Sequence, residues 1–391
     1  MEIFSAHLLF YMGKKNGIQL KELITLRKHF HKNPELSHKE HQTSEKLLEE
    51  IKQTHPDDLI HSLGGHGILA VYTGKEKGPV VLFRTDIDAL PIEEENDFDY
   101  KSKTPGVSHK CGHDGHMTMM LGLARKIAED RPQKGKVLLL FQPAEEVGEG
   151  AEMVIKDRKF TFSPDYSFAL HNLPGFKKGQ IILKEGGFAS ASTGMIIKFK
   201  GKTSHAGEPE NGRSPVIAMS RMMEYLTNLP SLYQGFKDFV LVTVIHSRLG
   251  ERAFGTTPGY GEVMATLRAT KDEDIDLLKG LAEGYAEEQG DEFGLKIDFE
   301  YVEVFPATNN HKEAVEMIKK SASKNQLEVH TIDKAFRWSE DFGHFTRMSK
   351  GAMFGLGSGE DHPQLHNPDY DFPDEILEAG IQTFYQIYKQ F

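Results

Sequence analysis

Glu185-Gly186-Gly187-Phe188-Ala189-Ser190-Ala191-Ser192-Thr193-Gly194 is the stretch where the chain changes rhythm, and it reads as a hinge of small residues. Before it, from Gly17 to about Gly186, helical patterns such as Glu40 to Ile51 and Met117 to Glu129 alternate with short apolar runs. Those runs include Gly67 to Thr73, Val80 to Arg84 and Lys136 to Phe141. Such alternation predicts an α/β layer fold, with a central mixed sheet flanked by helices. After the hinge the order becomes strand Met195 to Lys202, helix Ser214 to Leu229, strands Phe239 to Ser247 and Gly261 to Thr270, helix Glu273 to Gln289 and strand Lys296 to Val304. That βαββαβ order predicts a compact, ferredoxin-like four-stranded antiparallel sheet with two helices on one face. Beyond Phe305-Pro306-Ala307 the α/β pattern returns. The expected organisation is a discontinuous domain of residues 1–188 and 306–391, interrupted by an inserted domain of residues 189–305.

Composition narrows the function. A chain of 391 residues is long enough for two sizeable cores, because single cores stop growing near about 250–300 residues. A formal charge of −11 argues against a nucleic-acid footprint. No run approaches the roughly 18 apolar residues that span a bilayer. The start, Met1 to Met12, is apolar in places but lacks a basic leader and a small-residue cleavage site. It reads as a non-targeting extension, with Met12 an alternative start, and a cytoplasmic location is expected.

Chemistry concentrates in four segments. Lys110-Cys111-Gly112-His113-Asp114-Gly115-His116 contains the chain's one cysteine. Thiolate and imidazole are strong ligands for zinc, manganese and related ions, and Cys-x-His spacing lets both face one pocket from a short loop. The plainer alternative is a buried, inert thiol beside surface histidines. Phe141-Gln142-Pro143-Ala144-Glu145-Glu146 follows the apolar run Val137 to Leu140, so two adjacent carboxylates lie just past a strand end. One can bind metal while its neighbour acts as a general base; alternatively the pair is solvated and opens a helix from Glu145 to Lys156. Phe168-Ala169-Leu170-His171 is another apolar strand, ending in a histidine, and open α/β sheets place their sites at such ends. His362-Pro363-Gln364-Leu365-His366-Asn367-Pro368 precedes a terminal helix of Asp374 to Gln390 and could serve only as a turn.

These segments, taken in order, resemble the metal-dependent aminoacylase and carboxypeptidase superfamily. The nearest branch is the amidohydrolase one, with hippurate hydrolases, N-acyl-amino-acid amidohydrolases and auxin-conjugate hydrolases. The resemblance runs through Leu26 to Leu36, Phe83 to Pro91, the Cys111 loop, Gln142 to Glu146, His171, Thr203-Ser204-His205-Ala206, Ser339 to Phe342 and Leu365 to Pro368. It implies that Cys111, His113, Glu146, His171 and His366 hold two divalent ions. Manganese or zinc is expected, and cobalt or nickel is also admitted by the mixed donor set. It further implies Glu145 as general base, His205 as stabiliser of the oxyanion, Arg268 as holder of a substrate carboxylate and Asp88 as a group orienting a ligand. His116 is read as structural. The inserted domain is implied to act as a lid and to form a homodimer.

The chain also departs from that pattern. Gly255-Thr256-Thr257-Pro258 stands where relatives carry Asn-x-x-Pro, and Glu208, Glu210, Glu360 and Asp361 make the surroundings more acidic. The expected activity is hydrolysis of N-acyl-amino acids. A dipeptidase or carboxypeptidase acting on short peptides is the alternative, and a metal-binding regulator without turnover is a further one.

Overall fold

The computed structural model describes residues 20–391; the extension of residues 1–12 lies outside them. The chain divides into two compact units. One comprises the described chain through Gly186 with Asn309–Asp333 and His344–Phe391, and the other comprises Gly187–Thr308 with Lys334–Gly343.

The first unit is a mixed α/β layer structure built on an eight-stranded sheet. In spatial order its strands are Asp58–Leu63, Gly67–Thr73, Lys134–Gln142, Glu76–Asp86, Tyr166–Pro174, Lys350–Gly359, Ile181–Leu183 and Val329–Thr331. The four central strands from Lys134–Gln142 to Lys350–Gly359 run parallel, while antiparallel pairing joins Gly67–Thr73 to them on one side and Ile181–Leu183 on the other. Val137 to Phe141 is buried residue by residue, as expected of a strand covered by helices on both faces. Phe83 stacks on Phe168 at 5.7 Å, and Phe384 of the helix Leu377–Tyr388 meets Phe83 and Phe354 edge-on at 5.5 and 5.6 Å. Each fully buried ring of this kind contributes roughly 2–3 kcal/mol.

Two features of this unit shape the site: one differs from expectation, and the other excludes an alternative reading. The helix expected from Met117 begins at His113 and runs to Glu129, so His113 is in its first turn and not on a loop. Gly112 provides the start: it sits in the left-handed region at φ 97°, and a Cβ there would lie 2.3 Å from Asn172 Oδ1. Asp114 in the first turn is favoured by the helix dipole. The other feature is the Glu145-Glu146 pair, which does not open a helix. The helix starts at Gly150 and ends at Lys156, leaving both carboxylates in the turn after the strand Lys134–Gln142.

The second unit carries a four-stranded antiparallel sheet in the order Val240–Leu249, Tyr260–Ala269, Ala191–Lys200, Lys296–Phe305. Its helices are Val216–Leu232 and Asp272–Phe293. Ala218, Met222, Leu226 and Leu229 recur at helical spacing and are buried in this unit's core. The longer helix ends at Gly294 with φ 62°, a left-handed stop. The small-residue stretch read as a hinge is strand over Gly186–Ala189 and Ala191–Lys200. Ser190 N–H donates to the carbonyls of Phe336 and Trp338, and Phe188 meets both of those rings edge-on. Small side chains at 189–192 thus serve close strand packing. Among the described residues no helix is long and apolar enough to cross a membrane.

Candidate active site

Carboxyl ends of the central parallel strands collect the chemistry. Asp86 ends the strand Glu76–Asp86, Glu145 and Glu146 follow Lys134–Gln142, and His171 lies in the strand Tyr166–Pro174. Cys111 and His113 arrive from the start of the helix His113–Glu129, and His366 from the loop after Lys350–Gly359. This loop is tied to the Cys111 segment by the His366 N–H, which donates to the Lys110 carbonyl at 2.8 Å, and His366 itself has φ 66°.

Donor atoms converge in overlapping sets. Those of Cys111, His113 and His171 lie within 4.8 Å of one another, as do those of Cys111, Glu146 and His366, and those of His113, Glu145 and Glu146. Cys111 Sγ is 3.3 Å from His171 Nε2. His113 Nε2 is 3.6 Å from Glu146 Oε1, and both atoms are buried without a hydrogen-bond partner. Two facing orphaned polar atoms would be costly in a closed protein interior unless a cation satisfied them. Thiolate, imidazole and carboxylate together suit a first-row divalent ion, so the residues fit the metal that the sequence resemblance implies. Burial pushes the Glu146 carboxyl up; His113 opposes this, while repulsion from Asp88 and Asp86 adds to it. His113 goes up too: burial opposes its charge, but Asp86, Asp88 and Glu146 outweigh the penalty.

The supports are as specific as the donors. His113 Nδ1 lies 2.9 Å from the Asp88 carbonyl and 3.2 Å from its Oδ1, which leaves Nε2 facing the centre. Asp88 Oδ2 accepts from Ser37 Oγ at 2.7 Å and from the Glu146 N–H at 3.0 Å. His116 bridges Asp86, at 2.7 Å, to the Asn172 side chain. His171 Nδ1 lies 2.8 Å from the Asn172 carbonyl.

Asp88, Cys111, His113, Glu145, Glu146, His171 and His366 are therefore brought together in one unit. His205 and Arg268 belong to the other. His205 is exposed on the short strand Ser204–His205, paired with Thr256–Thr257, and its Nδ1 accepts from the Gly207 N–H at 3.0 Å. Arg268 is in the strand Tyr260–Ala269, where Nη1 donates to the Arg337 carbonyl and to Ser339 Oγ at 3.1 and 3.0 Å.

Sequence reading missed a buried ionic network beneath the Cys111 segment. Arg27 donates to Asp114, Asp371 and Asp374 at 3.2, 2.7 and 2.8 Å. His31 faces Asp114 and Glu94, each at 2.9 Å, and Lys110 Nζ donates to Glu94 at 2.6 Å and to the Tyr370 carbonyl at 2.7 Å. A signal existed: Arg27 and His31 are four apart in a helix over residues 20–32, in register with buried Leu23 and Phe30.

This network sets a pH dependence for stability. Burial opposes charge on His31, but hydrogen bonds to Asp114 and Glu94 hold it up at about 9, above its ordinary 6.5. Its contribution is full below pH 6.5 and lost as pH rises through 9. Burial likewise opposes charge on Glu94, which the His31 bond overcomes, holding it near about 2 against an ordinary 4.5. That contribution is present above pH 4.5 and lost as pH falls through 2. Denaturant unfolding of the chelated protein across pH should therefore give highest stability between 4.5 and 6.5 from this pair, with a decline towards 9. A flat profile from 6.5 to 9 would show that His31 is neutral in the fold.

A strand-end cluster of a thiol, imidazoles and paired carboxylates is the equipment of a metal-dependent hydrolase. Comparison with known proteins places it further. Residues 82–390 match the description "Peptidase family M20/M25/M40", and the chain belongs to that family, within the metal-dependent amidohydrolase superfamily. It is 31% identical over 376 residues to the N-acetyl-L-cysteine deacetylase of Bacillus subtilis (strain 168), covering 95% of this chain and 88% of the relative. The N-acetyldiaminopimelate deacetylase of Oenococcus oeni is 30% identical over 376 residues, covering 93% and 96%. Among solved structures, the Bacillus subtilis YXEP protein, described as a dinuclear metal binding peptidase from the M20 family, superposes with TM-score 0.81. It has 24% identity and covers 95% of this chain and 97% of that one. An aminobenzoyl-glutamate utilization protein from Klebsiella pneumoniae gives TM-score 0.75 at 18% identity, covering 97% and 98%. These superpositions show the shared fold.

Proposed function

We propose that this hydrolase cleaves the amide bond of N-acyl-amino acids, with two divalent ions held by Cys111, His113, Glu146, His171 and His366. The observation that carries this reading is the facing pair of orphaned atoms, His113 Nε2 and Glu146 Oε1, beside the Cys111–His171 contact and next to Glu145. Manganese or zinc suits these donors, and cobalt or nickel also can occupy such a set. Deacetylase relatives support an acyl group on an amino-acid nitrogen as the target.

When bound, the ions supply Lewis acidity, acidifying a coordinated water and polarising the substrate carbonyl. Glu145 takes the proton of the attacking water as its oxygen bonds to the amide carbon. The same carboxyl then delivers that proton to the amide nitrogen as the carbon–nitrogen bond breaks, releasing an amine and a carboxylate. Asp88 keeps His113 in the tautomer that presents Nε2. His205 would donate to the oxyanion, and the planar fork of Arg268 would hold the substrate carboxylate.

A lid and dimerisation role for the second unit accompanies this reading. It is supported by an edge strand, Val240–Leu249, that exposes Ile245 and Leu249, and by exposed Val216 and Ile217 on the helix Val216–Leu232. A cytoplasmic homodimer is the expected form.

The test is to count bound metals per chain and assay N-acetyl and N-benzoyl amino acids beside dipeptides, before and after chelation. Chelator-sensitive release from the N-acyl set supports the proposal. Release from dipeptides alone would replace it with a dipeptidase, for which exposed Glu360 and Asp361 near His366 offer partners for a free amine. His205→Ala should lower kcat by about 10²–10³-fold with metal content unchanged, and an unaltered rate would remove His205 from the reaction.

A further inference from the structure

Glu40 immediately precedes the helix His41–Lys52, in the cap position, yet its side chain makes no cap hydrogen bond there. The side chain is fully buried, and its carboxylate Oε1 accepts the Ala144 N–H at 2.8 Å. Ala144 is the residue before Glu145, and it is held in the left-handed region at φ 52°. An L-residue adopts that conformation only when its surroundings impose it.

The turn around the carboxylate pair hangs from two buried acids on separate segments. Glu40 holds the amide one residue before Glu145, and Asp88 holds the Glu146 amide, one residue after it, at 3.0 Å. The Ala144 carbonyl in turn accepts from the Glu149 and Gly150 N–H groups at 3.3 and 3.0 Å, closing the turn. Bonds on both flanks fix the backbone on which Glu145 stands. Asp88 was legible beforehand as a support of the metal ligands; Glu40 was not.

We propose that Glu40 is a positioning residue: by holding Ala144 left-handed it sets the direction in which the Glu145 carboxylate leaves the backbone. The inference rests on the reading of Glu145 as the base. Without this acceptor an alanine relaxes out of the left-handed region and swings Glu145 away. With glycine at position 144 the penalty for that conformation disappears.

The test uses the full-length protein with Glu40→Ala, Glu40→Gln, Ala144→Gly and the double variant Glu40→Ala/Ala144→Gly. Glu40→Ala should lower kcat about a hundredfold on the N-acyl-amino acid that the wild type hydrolyses, with KM and metal content within about twofold. Glu40→Gln keeps an oxygen acceptor and should stay within about threefold of wild type, and Ala144→Gly should recover most of the loss in the double variant. A simple structural role, or a missing helix cap, would not be relieved by glycine at position 144. Independently of activity, hydrogen exchange of the Ala144 amide in the metal-free protein should be about tenfold faster in Glu40→Ala than in wild type. If Glu40→Ala does not fold, Glu40→Asp, one methylene too short to reach, takes its place in every arm. Wild-type exchange at Ala144 in that variant, an unchanged kcat, or no recovery in the double variant would each overturn the proposal. An inactive wild type would instead overturn the functional reading, and the exchange experiment would still judge Glu40.

Discussion

Glu145→Gln purifies with a full complement of metal and turns over N-acyl-amino acids about a thousandfold more slowly than the wild type: that is the expected result. Glutamine has the shape of glutamate and can still accept a hydrogen bond, so the turn between Ala144 and Glu146 has no reason to move. What it lacks is the ability to take a proton from water and return it to the leaving nitrogen, a contribution of about 10²–10⁴ in rate. A thousandfold loss corresponds to about 4 kcal/mol of barrier. Glu145 Oε2 stands 3.9 Å from His113 Nε2 and Glu146 lies closer, so the metal is expected to depend on Glu146 and much less on its neighbour. Equal metal content with a collapsed kcat separates base from ligand. Activity within tenfold of wild type would move the base elsewhere, and loss of metal would make Glu145 a ligand.

Asp114→Asn should have the largest effect on stability. Asp114 is fully buried, and burial opposes its charge, but His31 and Arg27 hold it far below the usual carboxylate range. Asparagine in its place leaves Arg27 with Asp371 and Asp374, and His31 with Glu94 and the more distant Asp371 at 3.7 Å. Removing one member of a buried ionic group costs about 3–5 kcal/mol, because the charges left behind are no longer balanced. Urea unfolding at neutral pH gives the loss directly. The variant should also lose much of the decline in stability between pH 6.5 and 9, since His31 no longer has reason to stay protonated to about 9. A loss below about 1 kcal/mol would place Asp114 among ordinary surface acids.

Legibility in the sequence followed the kind of signal. Apolar runs such as Val137 to Phe141 announced buried strands because both of their faces are covered, and the polar residues just beyond them announced the site. Cys111, His113, Glu146, His171 and His366 could be named as candidate ligands because the segments around them resemble a known family, and their donor atoms converge in the fold. Start of the helix at His113 could not, because it depends on the left-handed Gly112 pressed against Asn172, a contact between distant segments. Glu40, Glu94 and Asp114 were opaque for a related reason. A charged residue in a sequence looks solvated until the fold supplies its partner, as Ala144 does for Glu40 and His31 for the other two. Small residues at 189–192 suggested looseness, and only the pairing of Ser190 with Phe336 and Trp338 shows them to be compact.

Strand Tyr166–Pro174, which carries His171, takes Lys350–Gly359 as its parallel neighbour, with His171 opposite Gly355. Gly187–Thr308, with a core of its own, lies between these two partners in the chain. The four-stranded sheet can therefore form from nearby sequence, whereas the larger sheet must wait for a segment far downstream. Order of assembly follows from this pairing. During synthesis the frame of the candidate site is among the last parts to close, so the thiol of Cys111 spends its early life without the neighbours that later enclose it.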